Sequence, residues 1–95
     1  MDCNGIITSL HAFKRMLERN ITPEQVEEAI AYGEIIKEHP DDKPYASMLI
    51  LKIFGQMPLH IVISKNEVGA CIVITVYVPD IEVWEHDFKT KKPLP

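Results

Sequence analysis

The chain has 95 residues, of which 46% are hydrophobic and 25% are charged, and its formal net charge at pH 7 is −4. This length fits one domain, residues 1–95, and the apolar content excludes a disordered chain, which carries few apolar residues and a high net charge. The acidic balance is not that of a general nucleic-acid binder.

The sequence carries no signal for secretion or for insertion into a membrane. Its start lacks the basic residues and apolar run of a signal peptide. The longest apolar stretch, Ala70 to Pro79, is too short to cross a bilayer as a helix. A cytoplasmic location is therefore expected, with residues 1–7 as a flexible leader. In such a reducing compartment, Cys3 and Cys71 are expected to remain unpaired.

The first predicted helix runs from about Leu10 to Arg19. Ser9 precedes it and is a suitable cap, since its side-chain oxygen accepts a hydrogen bond from a free backbone N–H. Asn20 is a plausible end because Asn tolerates the left-handed conformation. Three apolar residues recur at helical spacing and are expected to face the core, namely Leu10, Phe13 and Leu17.

The second predicted helix, Pro23–Tyr32, has the clearest local signature. Thr22 is its cap, Pro23 occupies the first helical position, and Gln25 completes a capping box with Thr22. Gly33 is expected to end the helix in the left-handed conformation. The core-facing stripe is predicted to be Val26, Ala29 and Ile30.

Beyond Gly33 the hydrophobic period changes to two, which predicts strands. Four are expected, at Ile35–His39, Tyr45–Phe54, Leu59–Ser64 and Ala70–Val78. The short turns favour an antiparallel meander, and the last strand, being the most hydrophobic, is expected at its centre. We therefore predict an α+β fold, with two N-terminal helices packed on a mostly antiparallel sheet of about four strands and a flexible tail over 89–95.

No strong catalytic motif is present, so the candidate site residues are scattered polar ones. His11 and Arg15 are four apart on the first helix and share a face, where they could hold a phosphate. The alternative is a surface pair in which Arg15 bonds Glu18 or Glu38. No metal-ligand set is recognisable, and neither a metal nor another cofactor is expected.

The predicted strands contribute a histidine and two hydroxyls. His60 is either a satisfied structural histidine or a general base on the open sheet face. Period two places Thr75 and Tyr77 on one face with Cys71 and Val73. Beside His60, the two hydroxyls would form a phosphate platform, but the sequence leaves the register open. Trp84 is expected to cover one end of the sheet.

Several motifs, in order, resemble a small prokaryotic family known as domain of unknown function 4258, over about Ser9 to Lys92. They are Ser9-x-His11-Ala12-x-x-Arg15-Met16, Gly33-Glu34-x-Ile36, Pro58-Leu59-His60-Ile61-Val62, Ile74-Thr75-Val76-Tyr77-x-Pro79-Asp80 and Trp84-x-x-Asp87-Phe88.

That resemblance implies kinship with RelE-like and barnase-type nucleases, and hence a toxin-like ribonuclease of a toxin–antitoxin pair. It implies metal-independent cleavage through the 2′-hydroxyl, with His60 taking the proton, His11 assisting the leaving oxygen and Arg15 stabilising charge. Tyr77 would complete the catalytic set, and Thr75, Lys89 and Lys91 would bind substrate. Where relatives carry an arginine after Asp-Phe, this chain has Lys89-Thr90-Lys91-Lys92, which keeps the charge without the bidentate fork.

Two other readings remain open at this point: a non-catalytic module that binds protein or RNA, and a structural remnant on an old fold. The resemblance also implies a zinc-finger antitoxin as partner. Such a partner would dock on the basic side of the chain, formed by the first helix and the tail lysines, and leave the acidic second helix exposed.

Overall fold

The computed structural model describes residues 1–93 and shows two helices and a five-stranded mixed sheet, an α+β fold. The elements in chain order are β1 (Ile6–Thr8), α1 (Leu10–Arg19), α2 (Pro23–Tyr32), β2 (Glu34–His39), β3 (Ser47–Phe54), β4 (Met57–Lys65) and β5 (Cys71–Tyr77). The core lies between the helices and one face of the sheet. Leu94 and Pro95, the end of the predicted tail, lie outside the described residues.

The sheet has the order β1-β5-β4-β3-β2. Strands β2 to β5 form the predicted antiparallel meander, but β1 is a fifth strand and pairs parallel to β5. The expectation of four strands was therefore wrong. The expectation of a central last strand also needs correction, since β4 holds the middle place and β5 lies between β4 and β1.

The added strand comes from the predicted leader, which is tied to the rest of the fold at several points. Asn4 N–H donates to the Gly69 carbonyl at 2.9 Å, and the terminal ammonium of Met1 donates to the Ile30 carbonyl at 3.1 Å. Cys3 and Cys71 form a disulfide with their Cα atoms 5.4 Å apart, so the expectation of unpaired cysteines was wrong. The pairing of β1 with β5 brings these two residues together across 68 positions of sequence.

Helix α1 has the predicted caps but buries a different face. Ser9 Oγ accepts from Ala12 N–H, and Asn20 is left-handed with φ 56°. The buried residues are Ala12 and Met16, whereas the predicted core residues Leu10, Phe13 and Leu17 are exposed, Leu10 by 69% and Leu17 by 64%.

Helix α1 buries this face, rather than the predicted one, for a local reason. Ser9 Oγ also donates to the Ile74 carbonyl at 3.0 Å, which fixes the start of the helix against β5. The small side chain of Ala12, fully buried, then lets the helix approach the sheet closely. The larger apolar residues consequently remain on the outside.

Helix α2 follows the sequence prediction except at its end. The capping box of Thr22 and Gln25 is present, and Val26, Ala29 and Ile30 are buried. Gly33 is extended (φ −73°) rather than left-handed, which corrects the prediction. A glycine is needed there for space, because a Cβ would lie 2.4 Å from the Ala29 carbonyl oxygen and 2.5 Å from Ile50 Cγ2.

Among the described residues, no helix has the length and apolar content needed to span a membrane.

Candidate functional site

The face of the sheet that the helices leave open carries most of the predicted site residues. Which residues face it is decided by an irregularity in β5. The β4–β5 register shifts between Val62 and Ile63, so that Ile63 pairs with Val73 but Val62 pairs with Thr75. Ile74 is the extra residue of this bulge.

The bulge reverses the alternation in the second half of β5. Cys71 and Val73 lie in the core with Val76, and Thr75 and Tyr77 face the other way. The prediction that Thr75 and Tyr77 share a face with Cys71 and Val73 was therefore wrong. Thr75 and Tyr77 still share a face with each other, about 7 Å apart along the strand.

His60 and Tyr77 form the inner pair of the site. They are direct partners in the β4–β5 register, and His60 Nδ1 lies 3.1 Å from Tyr77 Oη. His60 Nε2 lies 2.7 Å from the Phe88 carbonyl oxygen. Because a carbonyl only accepts, Nε2 carries the proton, and Nδ1 accepts from the Tyr77 hydroxyl. Both nitrogens of this fully buried imidazole are thus satisfied.

Burial sets the protonation of the pair. It lowers the pKa of His60, and the hydrogen bond to the Phe88 carbonyl offsets this only in part. Burial also raises the pKa of Tyr77. Around neutral pH the pair therefore holds a neutral imidazole and a neutral phenol. Trp84 encloses it, with its ring centroid 4.6 Å from that of His60 and edge-on, which confirms its predicted covering role.

The Phe88 carbonyl is aimed at His60 by a tight loop. Phe88 has φ 58°, a rare value for a residue with a side chain. Asp87 holds the loop, since its Oδ1 accepts from Lys89 N–H at 2.9 Å and its Oδ2 from Thr90 Oγ1 at 3.0 Å. These bonds, the one from Lys89 N–H first, lower the pKa of Asp87. The Asp-Phe pair of the sequence motif is thus a device that positions His60.

His11 and Thr75 form a second, exposed pair. His11 Nε2 lies 3.0 Å from Thr75 Oγ1, which brings the start of α1 to the open face of β5. Arg15, one turn further along α1, does not join them: its Nη1 pairs with Glu18 at 3.1 Å. Of the two alternatives for Arg15, the structure shows the surface pair.

A concave groove lies between the open face and the C-terminal segment, residues 80–92, which crosses it. Trp84 and Lys91 bridge within this segment. One cavity there has a volume of about 210 Å³ and a second of about 270 Å³, and both are lined by Lys37, Trp84 and Lys91. Tyr77 and His39 line the first cavity, and Lys89 the second. No carboxylate lines either cavity within residues 1–93.

The two tail lysines are held differently. Lys91 Nζ lies 5.7 Å from the Trp84 ring centroid, a cation–π distance. Lys89 Nζ pairs with Glu34 at 2.9 Å. Lys91 therefore directs its charge to the groove, while that of Lys89 is partly neutralised.

Sequence reasoning missed Lys37 and His39, the contributions of β2 to the groove. Their spacing of two along β2 indicates that their side chains share a face of the strand. Only the pairing with β3 shows which face this is: Lys37 pairs with Leu49 and His39 with Ser47, which places both side chains on the open side of the sheet. The described residues contain no cluster of three or more histidine, cysteine or acidic side chains that could hold a metal ion.

Of three comparisons with known proteins, one found a match. A comparison with curated proteins and one with solved structures found no match. The model of a family described as a domain of unknown function (DUF4258) matches residues 8–78. This span includes His11, His60, Thr75 and Tyr77. It covers most of the chain, which therefore belongs to the DUF4258 family.

Proposed function

We propose that this protein is a toxin-like, metal-independent ribonuclease whose substrate phosphate lies in the groove of Lys37 and Lys91. The supporting observation is a cationic groove that contains the hydroxyl of the Tyr77–His60 pair, on a chain of net charge −4. Among residues 1–93, no carboxylate lines it. Such local charge attracts a polyanion despite the acidic total.

The buried pair supplies a route for the first proton. The 2′-oxygen attacks the adjacent phosphorus while its proton moves to Tyr77 Oη, and the phenolic proton moves to His60 Nδ1. The resulting imidazolium still donates from Nε2 to the Phe88 carbonyl. His60 thus takes the proton predicted for it, but acts through Tyr77, because it is itself fully buried.

Other residues protonate the leaving group and stabilise the developing charge. The bond between phosphorus and the 5′-oxygen breaks, and His11, oriented by Thr75, donates a proton to that oxygen. The products are a 2′,3′-cyclic phosphate and a 5′-hydroxyl. Lys37 and Lys91 stabilise the extra negative charge on the phosphate oxygens.

The test is cleavage of a fluorescent single-stranded RNA by the purified protein in the presence of EDTA. Tyr77→Phe keeps the ring and removes the relay hydroxyl, so kcat should fall about 100-fold. The matched control is Tyr32→Phe, at a highly exposed tyrosine that does not line the groove. Equal activity of Tyr77→Phe and wild type would contradict the relay, and loss of activity in EDTA would contradict metal independence.

One observation favours a second candidate function, a non-catalytic module that binds RNA or protein. His60 has both nitrogens occupied and no solvent access, as expected of a structural histidine. On this alternative the groove binds a phosphate and nothing is cleaved. RNA that shifts in a binding assay yet stays intact after long incubation would decide for the module.

The biological setting is part of the proposal: a cytoplasmic toxin, with Cys3 and Cys71 kept reduced in that compartment, held by a zinc-finger antitoxin. Induced expression should arrest growth, and Tyr77→Phe should relieve the arrest at equal protein levels. Co-purification with the product of the neighbouring gene tests the partner. Charge reversal at Arg15 and Lys91 should weaken that complex, while reversal at Glu27 and Glu28 should not.

A further inference from the structure

The outer edge of the sheet at β1 is unpaired within the part of the chain that the structure describes. The Gly5 carbonyl accepts from Cys71 N–H, and Ser9 N–H donates to the Val73 carbonyl. Backbone groups alternate in direction along a strand, so the N–H and C=O groups of Ile6 and Thr8 point outward. Such an edge is a template for another strand.

This edge is short, at three residues, but it lacks the other features that proteins use to prevent pairing. Residues 3–10 include no charged residue and no proline. Ile7 is 51% exposed, and Ile6 is also exposed. Lysines, prolines or covering segments normally protect an open edge, so an uncharged and uncovered one is a candidate interface.

The surface beside β1 is apolar as well. A groove of about 250 Å³ adjoins the edge and is lined by Ile6, Phe13 and Pro23. Leu10 and Leu17 continue this surface along α1. A contiguous exposed apolar patch of this kind marks a protein contact rather than a solvated face.

The rim of the surface carries both signs of charge. Glu27 lines the groove. Lys14 follows Leu10 by four positions and precedes Leu17 by three, so it adjoins the apolar stripe of α1. A face with both signs can meet its own copy without net repulsion.

We propose that a second copy of this chain binds here, with β1 pairing antiparallel to β1 across a two-fold axis at Ile7. The outward N–H and C=O groups of Ile6 then form two hydrogen bonds with those of Thr8 in the copy. Thr8 forms the same two bonds with Ile6 of the copy, which gives four hydrogen bonds in all. The set of donors and acceptors is self-complementary, as an isologous interface requires. The inference does not rest on the proposed ribonuclease activity.

The helical stripe must contribute to this interface. A three-residue ladder buries much less than the roughly 1,200 Å² of a stable complex. The exposed side chains of Leu10, Phe13 and Leu17 lie on the same border of the molecule as the edge strand, as the groove shared by Ile6 and Phe13 shows. Their burial supplies the apolar area that the ladder lacks.

The test is the mass of the protein in solution, measured by sedimentation equilibrium over the micromolar range. Wild type should form a dimer. Ile7→Lys places two like charges opposite each other, about 4.5 Å apart at Cα, and should raise the dissociation constant at least about tenfold. The control is Ile53→Lys, on β3, where the isoleucine is 46% exposed and distant from the edge.

A charge-swap pair separates the interface from a folding defect. Ile7→Glu alone should also be monomeric, and mixing it with Ile7→Lys should restore a dimer of one copy of each. The proposal is overturned if wild type is monomeric at every concentration. It is equally overturned if Ile7→Lys leaves the dimer intact, or if the two folded variants stay monomeric when mixed.

Discussion

Tyr77 Oη and His60 Nδ1 lie 3.1 Å apart across β4 and β5, and the Tyr77 hydroxyl donates because His60 donates from its other nitrogen to Phe88. Because the hydroxyl proton of Tyr77 is directed at His60, the lone pairs of Tyr77 Oη are free to accept a hydrogen bond from the groove side. A buried histidine is thereby connected to a surface that it does not reach.

The His60 environment should make folding stability depend on pH. Burial lowers the pKa of His60 in the folded state below the value in the unfolded chain, so the unfolded chain binds the proton more readily. Stability is therefore fully present above about pH 6.5 and declines as the pH falls below it. Urea unfolding at pH 7.5 and at pH 5.5 measures the effect.

His60→Gln should reduce this pH dependence, although it lowers the overall stability. His86→Gln is the control, because His86 is exposed. An unchanged difference between the two pH values in His60→Gln would assign the dependence to other groups.

The disulfide between Cys3 and Cys71 should contribute strongly to stability. It closes a loop of 68 residues, for which the loss of chain entropy in the unfolded state corresponds to about 4 kcal/mol. Cys3→Ser should lower the free energy of unfolding by up to that amount and should loosen β1.

Reduction by dithiothreitol should lower the stability of wild type but leave Cys3→Ser unchanged. Titration of thiols in the denatured, non-reduced protein provides the direct measurement. Two free thiols would show that the bond does not form under the conditions of preparation.

Gly33 should not tolerate a side chain. An added Cβ meets the Ala29 carbonyl and Ile50 at distances that no real Cβ adopts, so the end of α2 must move away from β3. Gly33→Ala should therefore cost about 1–3 kcal/mol of folding stability. Thermal unfolding detects such a loss as a lower Tm.

Gly55→Ala is the informative comparison for Gly33→Ala. Gly55 has φ 65° and nothing within 4 Å of the added Cβ, so its substitution costs only the left-handed strain of about 1–2 kcal/mol. Trimming the core neighbour by Ile50→Ala should reduce the cost of Gly33→Ala and leave that of Gly55→Ala unchanged. If the cost at Gly33 is the same in both backgrounds, overlap with Ile50 is not its cause.

The groove lysines should account for the salt dependence of RNA binding. Removing Lys37 or Lys91 should weaken binding to all RNA sequences alike and should reduce the slope of log K against log salt by about 0.7 for each phosphate that is no longer neutralised. Lys43→Ala is the control, because Lys43 lies in the exposed β2–β3 turn. Fluorescence anisotropy at several salt concentrations measures both quantities. An equal change in the control would place the phosphate elsewhere.

Much of this fold followed from local sequence. The caps at Ser9 and Thr22, the left-handed Asn20 and the buried face of α2 depend on contacts within a few residues, which the sequence displays directly. The antiparallel meander from β2 to β5 likewise follows from short turns between strands.

The open-face location of the candidate site depended on longer-range contacts. The bulge at Ile74 turned Thr75 and Tyr77 away from the core, and the C-terminal segment brought Phe88 and Lys91 to His60 and the groove. Period-two reasoning assumes an uninterrupted ladder, and one extra residue reverses every side chain beyond it.

The sequence by itself determined both helices, their N-terminal caps and the order of strands β2 to β5, because helix ends and turns are stabilised by neighbours along the chain. The tertiary structure decided the face that α1 buries, the pairing of β1 and the meeting of Cys3 with Cys71. A three-residue strand and a helix with apolar residues on two faces carry no preference of their own. Only the partner surface, here β5, selects one arrangement over the other.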